Sequence, residues 1–167
     1  MRKVTLGTTI AYGMPGLGAG YMYLLMSLYV MKFSTDVLLI APAVMGVIFS
    51  ISRIWDAVSD PIAGYLSDRT TFKFGRRRTW MLISFIPISF GFLAVFSPPE
   101  SMQGQSLDLW MMIAILSFYS AITLLNVPHM ALGAELSEDY HERTRLFGVR
   151  HIAVSYTHLT LPTSYAV

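Results

Sequence analysis

Four long apolar runs, each cut off by a short polar or proline-containing stretch, set the rhythm of this chain. They cover about residues 6–31, 42–66, 80–96 and 107–136. A helix of about 20 residues crosses the roughly 30 Å hydrocarbon layer, so each run predicts a membrane-spanning helix. The breaks fall at Lys32–Asp36, in a basic stretch between runs two and three, and at Ser97-Pro98-Pro99-Glu100, where paired prolines end a helix. Run one carries Gly13, Pro15, Gly16, Gly18 and Gly20. In water that content would break a helix, but between membrane helices small residues allow close packing, and this predicts a packing face. Tyr21, Tyr23 and Tyr29 of the same run either line a cavity or sit in a helix interface. The predicted fold class is an all-α membrane protein with four transmembrane helices and a broken start of a fifth.

Composition sharpens this picture. Apolar residues make up 54% of the chain and charged residues only 13%, at a mean hydropathy of +0.53. A soluble domain carries about 25% charge. The absence of cysteine excludes disulfides and thiolate metal sites without fixing a compartment. Met1-Arg2-Lys3 leads straight into a long apolar run, unlike a secretory signal. The net charge of +2 says little, whereas the placement of the basic residues says much. Arg2, Lys3, Arg69, Lys73, Arg76, Arg77, Arg78, Arg143 and Arg145 fall on one side of the predicted spans and only Lys32 on the other. The bias predicts a multi-pass protein of the plasma (inner) membrane with its N-terminus and the connection between runs two and three in the cytoplasm.

Run two interrupts its own apolar character with Arg53, Asp56, Ser59 and Asp60, followed by Pro61. Asp56 and Asp60 are one helical turn apart and share a face, which Arg53 joins. Ionisable groups inside a membrane span are expensive and mark ion or substrate paths. Pro61 has no N–H for the carbonyl of Ala57. That carbonyl, two carboxylates and a hydroxyl form a set of hard oxygen ligands suited to Na⁺ or to proton exchange. The competing reading is a structural ion pair between Arg53 and one aspartate. One cation cannot cancel two anions, so a negative charge is left for a bound cation at Asp56 and Asp60 to relieve. Run four offers Thr123 and Asn126 on one face, with Pro128 freeing the carbonyl of Leu124. Proline-kinked helices with one asparagine are common, so the pattern alone fits a site or plain packing equally. His129 has no second histidine at ligand spacing and reads as a packing or cavity residue, and Glu135 as a partner for loop arginines. No nucleophile–base pair and no metal-spaced ligand cluster appears, which argues against an enzyme, and nothing points to nucleic acid.

The stretch Gly64-Tyr-Leu-Ser-Asp68-Arg69, followed by Gly75-Arg76-Arg77, resembles the signature loop of the major facilitator superfamily. Within it, Arg53-Ile-Trp-Asp56-Ala-Val-Ser-Asp60-Pro61 resembles the glycoside–pentoside–hexuronide:cation symporters, the melibiose-permease-like group, over about residues 8–153. The resemblance implies cation-coupled symport of a small solute by alternating access, with no cofactor beyond the coupling Na⁺, Li⁺ or H⁺. It implies that Asp56 and Asp60 bind that cation, with Ser59 where the permease has Asn. Thr123 and Asn126 stand where its fourth span has Thr and Asp. On the solute side, Gly20 replaces an acid that holds sugar hydroxyls, Met130 replaces a Trp, and Arg150 keeps an Arg. A site without that acid and ring should hold a galactoside poorly, because buried sugar hydroxyls would go unpaired. A sugar is thus inherited from the family, and related symporters with the same acids carry other solutes, amphipathic lipids included. Gly64, Asp68, Arg69, Gly75, Arg76 and Arg77 correspond to a cytoplasmic gate that closes against a missing C-terminal half.

From Val154 the chain turns polar and threonine-rich, with Pro162 where a fifth span should gather apolar residues. Residues 154–167 resemble translated sequencing adapter, the alternative being a genuine, divergent start of span five. The expected organisation is therefore residues 1–153 as part of an N-terminal transporter half in the lipid bilayer, and 154–167 as a non-native tail. Two other readings stay open: a truncated, transport-inactive helical fragment, and a small channel.

Overall fold

The computed structural model describes residues 5–72, 75–137 and 139–160. These form α1 (Leu6–Lys32), a π-helical turn (Phe33–Val37), α2 (Pro42–Arg69), α3 (Arg76–Phe96), α4 (Gln105–Leu136) and α5 (Tyr140–Thr160), with no strand among them. The first four helices match the apolar runs and outrun them at their polar ends. An apolar run measures the hydrocarbon layer, whereas a helix continues until its backbone is stopped. Between α2 and α3 the stops are Thr70, which turns extended at ψ 132°, and Gly75, whose φ of +98° favours glycine. Much of the expected loop from Gly64 to Arg78 is therefore helix. The prolines Pro15, Pro61, Pro87 and Pro128 each sit inside a helix that continues through them, as membrane helices tolerate. α5 is capped by Asp139, whose Oδ1 accepts from the N–H groups of His141 (2.8 Å) and Glu142 (3.4 Å). It crosses Val154, where the sequence changes character; Pro162 lies outside the described residues.

Residues 29–129 form one compact unit, built on α2, α3 and most of α4. Contacts between α2 and α4 climb together along both helices: Arg53 with Tyr119, Trp55 with Ser120, Asp60 with Thr123, and Gly64 with Val127. The two helices therefore run parallel. α3 meets α4 in the opposite sense, through Gly91 against Phe118 and the Ala94 carbonyl against Trp110. This is the alternation expected of successive membrane crossings. At Gly91 the backbones nearly touch, since a Cβ there would lie 3.0 Å from the Phe118 Cα.

The outer faces of this unit are as apolar as its interior. On α2, Val47, Ile51, Ile54, Val58, Ile62 and Tyr65 form one exposed stripe. At 3.6 residues per turn, the carboxylates of Asp56 and Asp60 lie on the opposite side of the helix. On α3, Leu82, Ile83, Ile86, Phe90 and Leu93 are all more than half exposed. Such stripes are stable in lipid and would drive aggregation in water. By length and composition, α3 and α4 qualify as membrane-crossing helices among the described residues. α1 and α2 have the length but replace part of their apolar content with glycine, tyrosine and charge.

The second unit joins α1 up to Leu28 with the end of α4 from Met130 and with α5. Its centre is Tyr12, which meets the Phe147 ring edge-on at 6.3 Å between centroids. The Tyr12 ring also fills the space a side chain at Gly133 would need. Gly13 faces Val149 across α1 and α5, with 3.5 Å between an added Cβ and Cγ1, which is the packing role expected of it, whereas a Cβ added at Gly18 would meet nothing within 4 Å, so that glycine does not pack as expected.

Candidate cation site

α2 and α4 bring the predicted polar groups of runs two and four together. Thr123 is buried, and its Oγ1 donates to Oδ1 of Asp60 at 3.0 Å. The bond joins residues 63 positions apart and ties the two parallel helices at mid-length. One turn earlier on α2, Asp56 Oδ2 pairs with Arg53 Nη1 at 3.4 Å. The Arg53 guanidinium also lies 5.1 Å from the centroid of the Tyr119 ring on α4, within cation–π range. One arginine thus serves one carboxylate and one ring.

The other oxygen of Asp56 is the exception. Its Oδ1 is buried without a hydrogen-bond partner. An unsatisfied buried polar atom costs about 1–3 kcal/mol, and more when it is charged. Asp56, Asp60 and Arg53 together carry one net negative charge. A monovalent cation or a proton at these carboxylates would remove both the excess charge and the orphaned acceptor. Hard cations such as Na⁺ take oxygen ligands, and the oxygens at hand are two carboxylates, the Thr123 hydroxyl and the local backbone. No group of three His, Cys, Asp or Glu side chains suited to a metal occurs among the described residues.

Ser59 hydrogen-bonds locally, its Oγ donating to the Asp56 carbonyl at 3.3 Å and leaving only its lone pairs for a ligand. Asn126 lies one turn beyond Thr123, half-buried. Two neighbours were not singled out from the sequence. Trp55 Nε1 donates to Ser120 Oγ at 2.7 Å, and Tyr119 supplies the ring beneath Arg53. Both α4 residues sit three or four positions before Thr123, on the same face, and that spacing was the available signal.

The predicted gate residues divide into four roles. Asp68, in the last turn of α2, holds Arg77 Nη2 at 3.0 Å, while Arg76 Nη1 donates to the Asp68 carbonyl at 3.2 Å. An acid at a helix C-terminus and arginines at a helix N-terminus both oppose the helix dipoles, and pairing them across the turn offsets the two penalties. Trp80 Nε1 adds a bond to Thr70 Oγ1 at 3.1 Å. Arg69 lies over the Tyr65 ring at 4.4 Å. Gly64 packs against Val127, and Gly75 makes the turn.

The three predicted solute positions all belong to the unit of α1, the end of α4 and α5. Gly20 is half-buried on α1, Met130 is about half exposed on α4, and Arg150 is half-buried on α5.

The family described as MFS/sugar transport protein matches residues 11–162. An uncharacterized symporter of Synechocystis sp. is 36% identical over 153 residues, covering 89% of this chain and 28% of that protein. The inner membrane symporter YicJ of Escherichia coli is 33% identical over 148 residues, covering 86% of the chain and 31% of YicJ. YagG of the same bacterium, whose name proposes glycoside/cation symport, is 32% identical over 149 residues, covering 87% and 32%. The chain thus spans about a third of the length of these relatives.

Proposed function

Because the chain belongs to the MFS/sugar transport protein family, we propose that the intact protein is a cation-coupled symporter of a small organic solute, a sugar or glycoside being the family's expectation. The observation that carries this reading is the bare, buried Oδ1 of Asp56 beside an Asp60 already anchored to α4 by Thr123. A coupling cation, Na⁺, Li⁺ or H⁺, supplies the missing positive charge. Asp56 and Asp60 hold it, Thr123 fixes Asp60 against α4, and Arg53 limits the charge left to compensate. Ser59 and Asn126 contribute neutral oxygens at most, so this site carries fewer carboxylates than its melibiose-permease-like counterparts.

Compensating the net negative charge favours the solute-binding state, after which two halves rock about the site to alternate access. Arg150 is the group proposed to face the solute, with Gly20 and Met130 shaping the space near it. The paired Asp68, Arg76 and Arg77 form the cytoplasmic gate. The positive-inside bias supports an inner-membrane location with a cytoplasmic N-terminus.

The test is solute uptake by the full-length protein with Na⁺ present and absent, before and after Asp56→Asn. Loss of cation stimulation by at least tenfold is expected, and unchanged stimulation would overturn the site. A second reading is favoured by the chain's coverage of only about a third of its relatives: these 167 residues alone are a membrane-inserted bundle without transport. The reading frame of the gene beyond residue 153 separates the two, and also tests the proposal that 154–167 is a non-native tail.

A further inference from the structure

On an exposed apolar side of the 29–129 unit, α3 and α4 leave an apolar groove of about 310 Å³. Gly91 and Ala114 are buried in it, Ala94 and Trp110 line it half-buried, and Phe90 and Ile113 stand more than half exposed at its rim. Its origin is local. Gly91 lets the two backbones meet, while the alanines on either side leave unfilled the space that larger residues would occupy. The indole N–H of Trp110 is already spent on the Ala94 carbonyl at 3.0 Å, so that wall asks nothing polar of an occupant.

We propose that this groove binds one acyl chain of a membrane phospholipid, drawn from the leaflet that meets the α3–α4 connection. Three observations select that occupant. First, Phe90 belongs both to the groove and to the exposed apolar stripe of α3, so the opening is continuous with an apolar surface of the kind that lipid covers in a membrane protein. Second, the volume is slim. A helix about 10 Å across fills roughly 120 Å³ per residue of length, so the groove would take under three residues of another helix. An extended hydrocarbon chain fits, and the volume sits near the lower end of ligand-sized cavities, roughly 300–1,000 Å³. Third, the depth is right. From Pro87 to the end of α3 at Phe96 is about 13 Å, and from the start of α4 at Gln105 to Ser117 about 18 Å. Both fall within or near half of the roughly 30 Å hydrocarbon core, where the chains of a single leaflet lie.

The chain has three tryptophans, which permits a direct test. With Trp55→Phe and Trp80→Phe, Trp110 becomes the sole reporter. The protein is reconstituted in phosphatidylcholine vesicles whose acyl chains carry bromine at mid-chain, which quenches indole fluorescence at contact. Quenching of Trp110 by at least half, relative to unbrominated vesicles, is expected. Ala94→Leu, which fills the groove, should cut that quenching at least twofold at unchanged helical circular dichroism. Ala114→Leu serves as the filling variant where Ala94→Leu loses helix. Equal quenching in filled and open grooves assigns the effect to bulk lipid and overturns the proposal. Absent quenching overturns it too, because protein, a second copy or another helix, then covers the groove.

Discussion

Two glycines face α4, and adding one methyl group to each should have unequal consequences. At Gly91 an added Cβ would lie 3.0 Å from the Cα of Phe118, 3.1 Å from its N and 3.2 Å from its Cβ. Two of these three atoms are backbone and cannot rotate away. α3 and α4 must therefore part by a few tenths of an ångström, which also stretches the Trp110–Ala94 bond. At Gly64 the same methyl meets only Val127 Cγ1, at 3.6 Å, an ordinary contact. Overpacking of a tight interface costs about 1–3 kcal/mol. The opposing term is helix propensity, in which Ala exceeds Gly by about 1 kcal/mol in water. Unfolding in dodecyl sulfate leaves membrane helices largely helical, so propensity mostly cancels and packing decides. Gly91→Ala should lower stability by about 1–3 kcal/mol, while Gly64→Ala stays within about 0.5 kcal/mol of the parent. The measurement is a dodecyl sulfate titration in mixed micelles, followed by tryptophan fluorescence. A Gly91→Ala midpoint at or above that of Gly64→Ala would refute the close approach of α3 and α4.

Three further outcomes are expected. Thr123→Val removes the bond to Asp60 while keeping the side chain's shape. Interhelical bonds in membranes average about 0.6 and reach about 1.7 kcal/mol, so the half-saturating cation concentration for uptake by the full-length protein should rise roughly 3- to 15-fold. Thr123→Ser should restore it, and no change in either variant would remove Thr123 from the site. Leu39 takes a left-handed backbone (φ +57°) just after the π-helical turn and is 81% exposed. Leu39→Gly should therefore raise the thermal midpoint, relieving about 1–2 kcal/mol of backbone strain against a smaller entropic loss; a lower midpoint would count against that backbone. Asp68→Asn breaks the pair with Arg77, but Asp68 is 55% exposed. Its effect on stability should stay under about 1 kcal/mol and shrink with salt, which unfolding at two ionic strengths would check.

The fold was legible because bilayer thickness imposes a length on apolar runs, and four runs gave four helices. The shared face of Asp56 and Asp60 was legible from a one-turn spacing. What joins α2 to α4 was not, because the register between two helices depends on packing that no local pattern encodes. The bond from Thr123 to Asp60 joins residues 63 positions apart, a separation no sequence spacing rule reaches. Trp55 finds Ser120, and Arg53 finds Tyr119, only once that register exists. The connection between α2 and α3 looked like a long loop because charge marks the membrane boundary, and charge does not end a helix. α5 was the least legible element, since its polar residues hide it from any search for apolar length.

The 63-residue separation of Asp60 from Thr123 also sets a schedule for biosynthesis. Translation proceeds at about 5–20 residues per second, so Asp60 leaves the ribosome roughly 3–13 s before the hydroxyl that will hold it. An aspartate in an inserting helix costs at most about 2.5–3.5 kcal/mol, the value reached at the helix centre. Asp56 brings its own arginine, three residues ahead on the same helix, and can enter the bilayer paired. Asp60 cannot. The hydrogen bond that offsets part of its cost becomes available only once α4 is made. The two carboxylates of one site therefore have unlike histories, one neutralised by its own helix and the other dependent on a helix not yet synthesised.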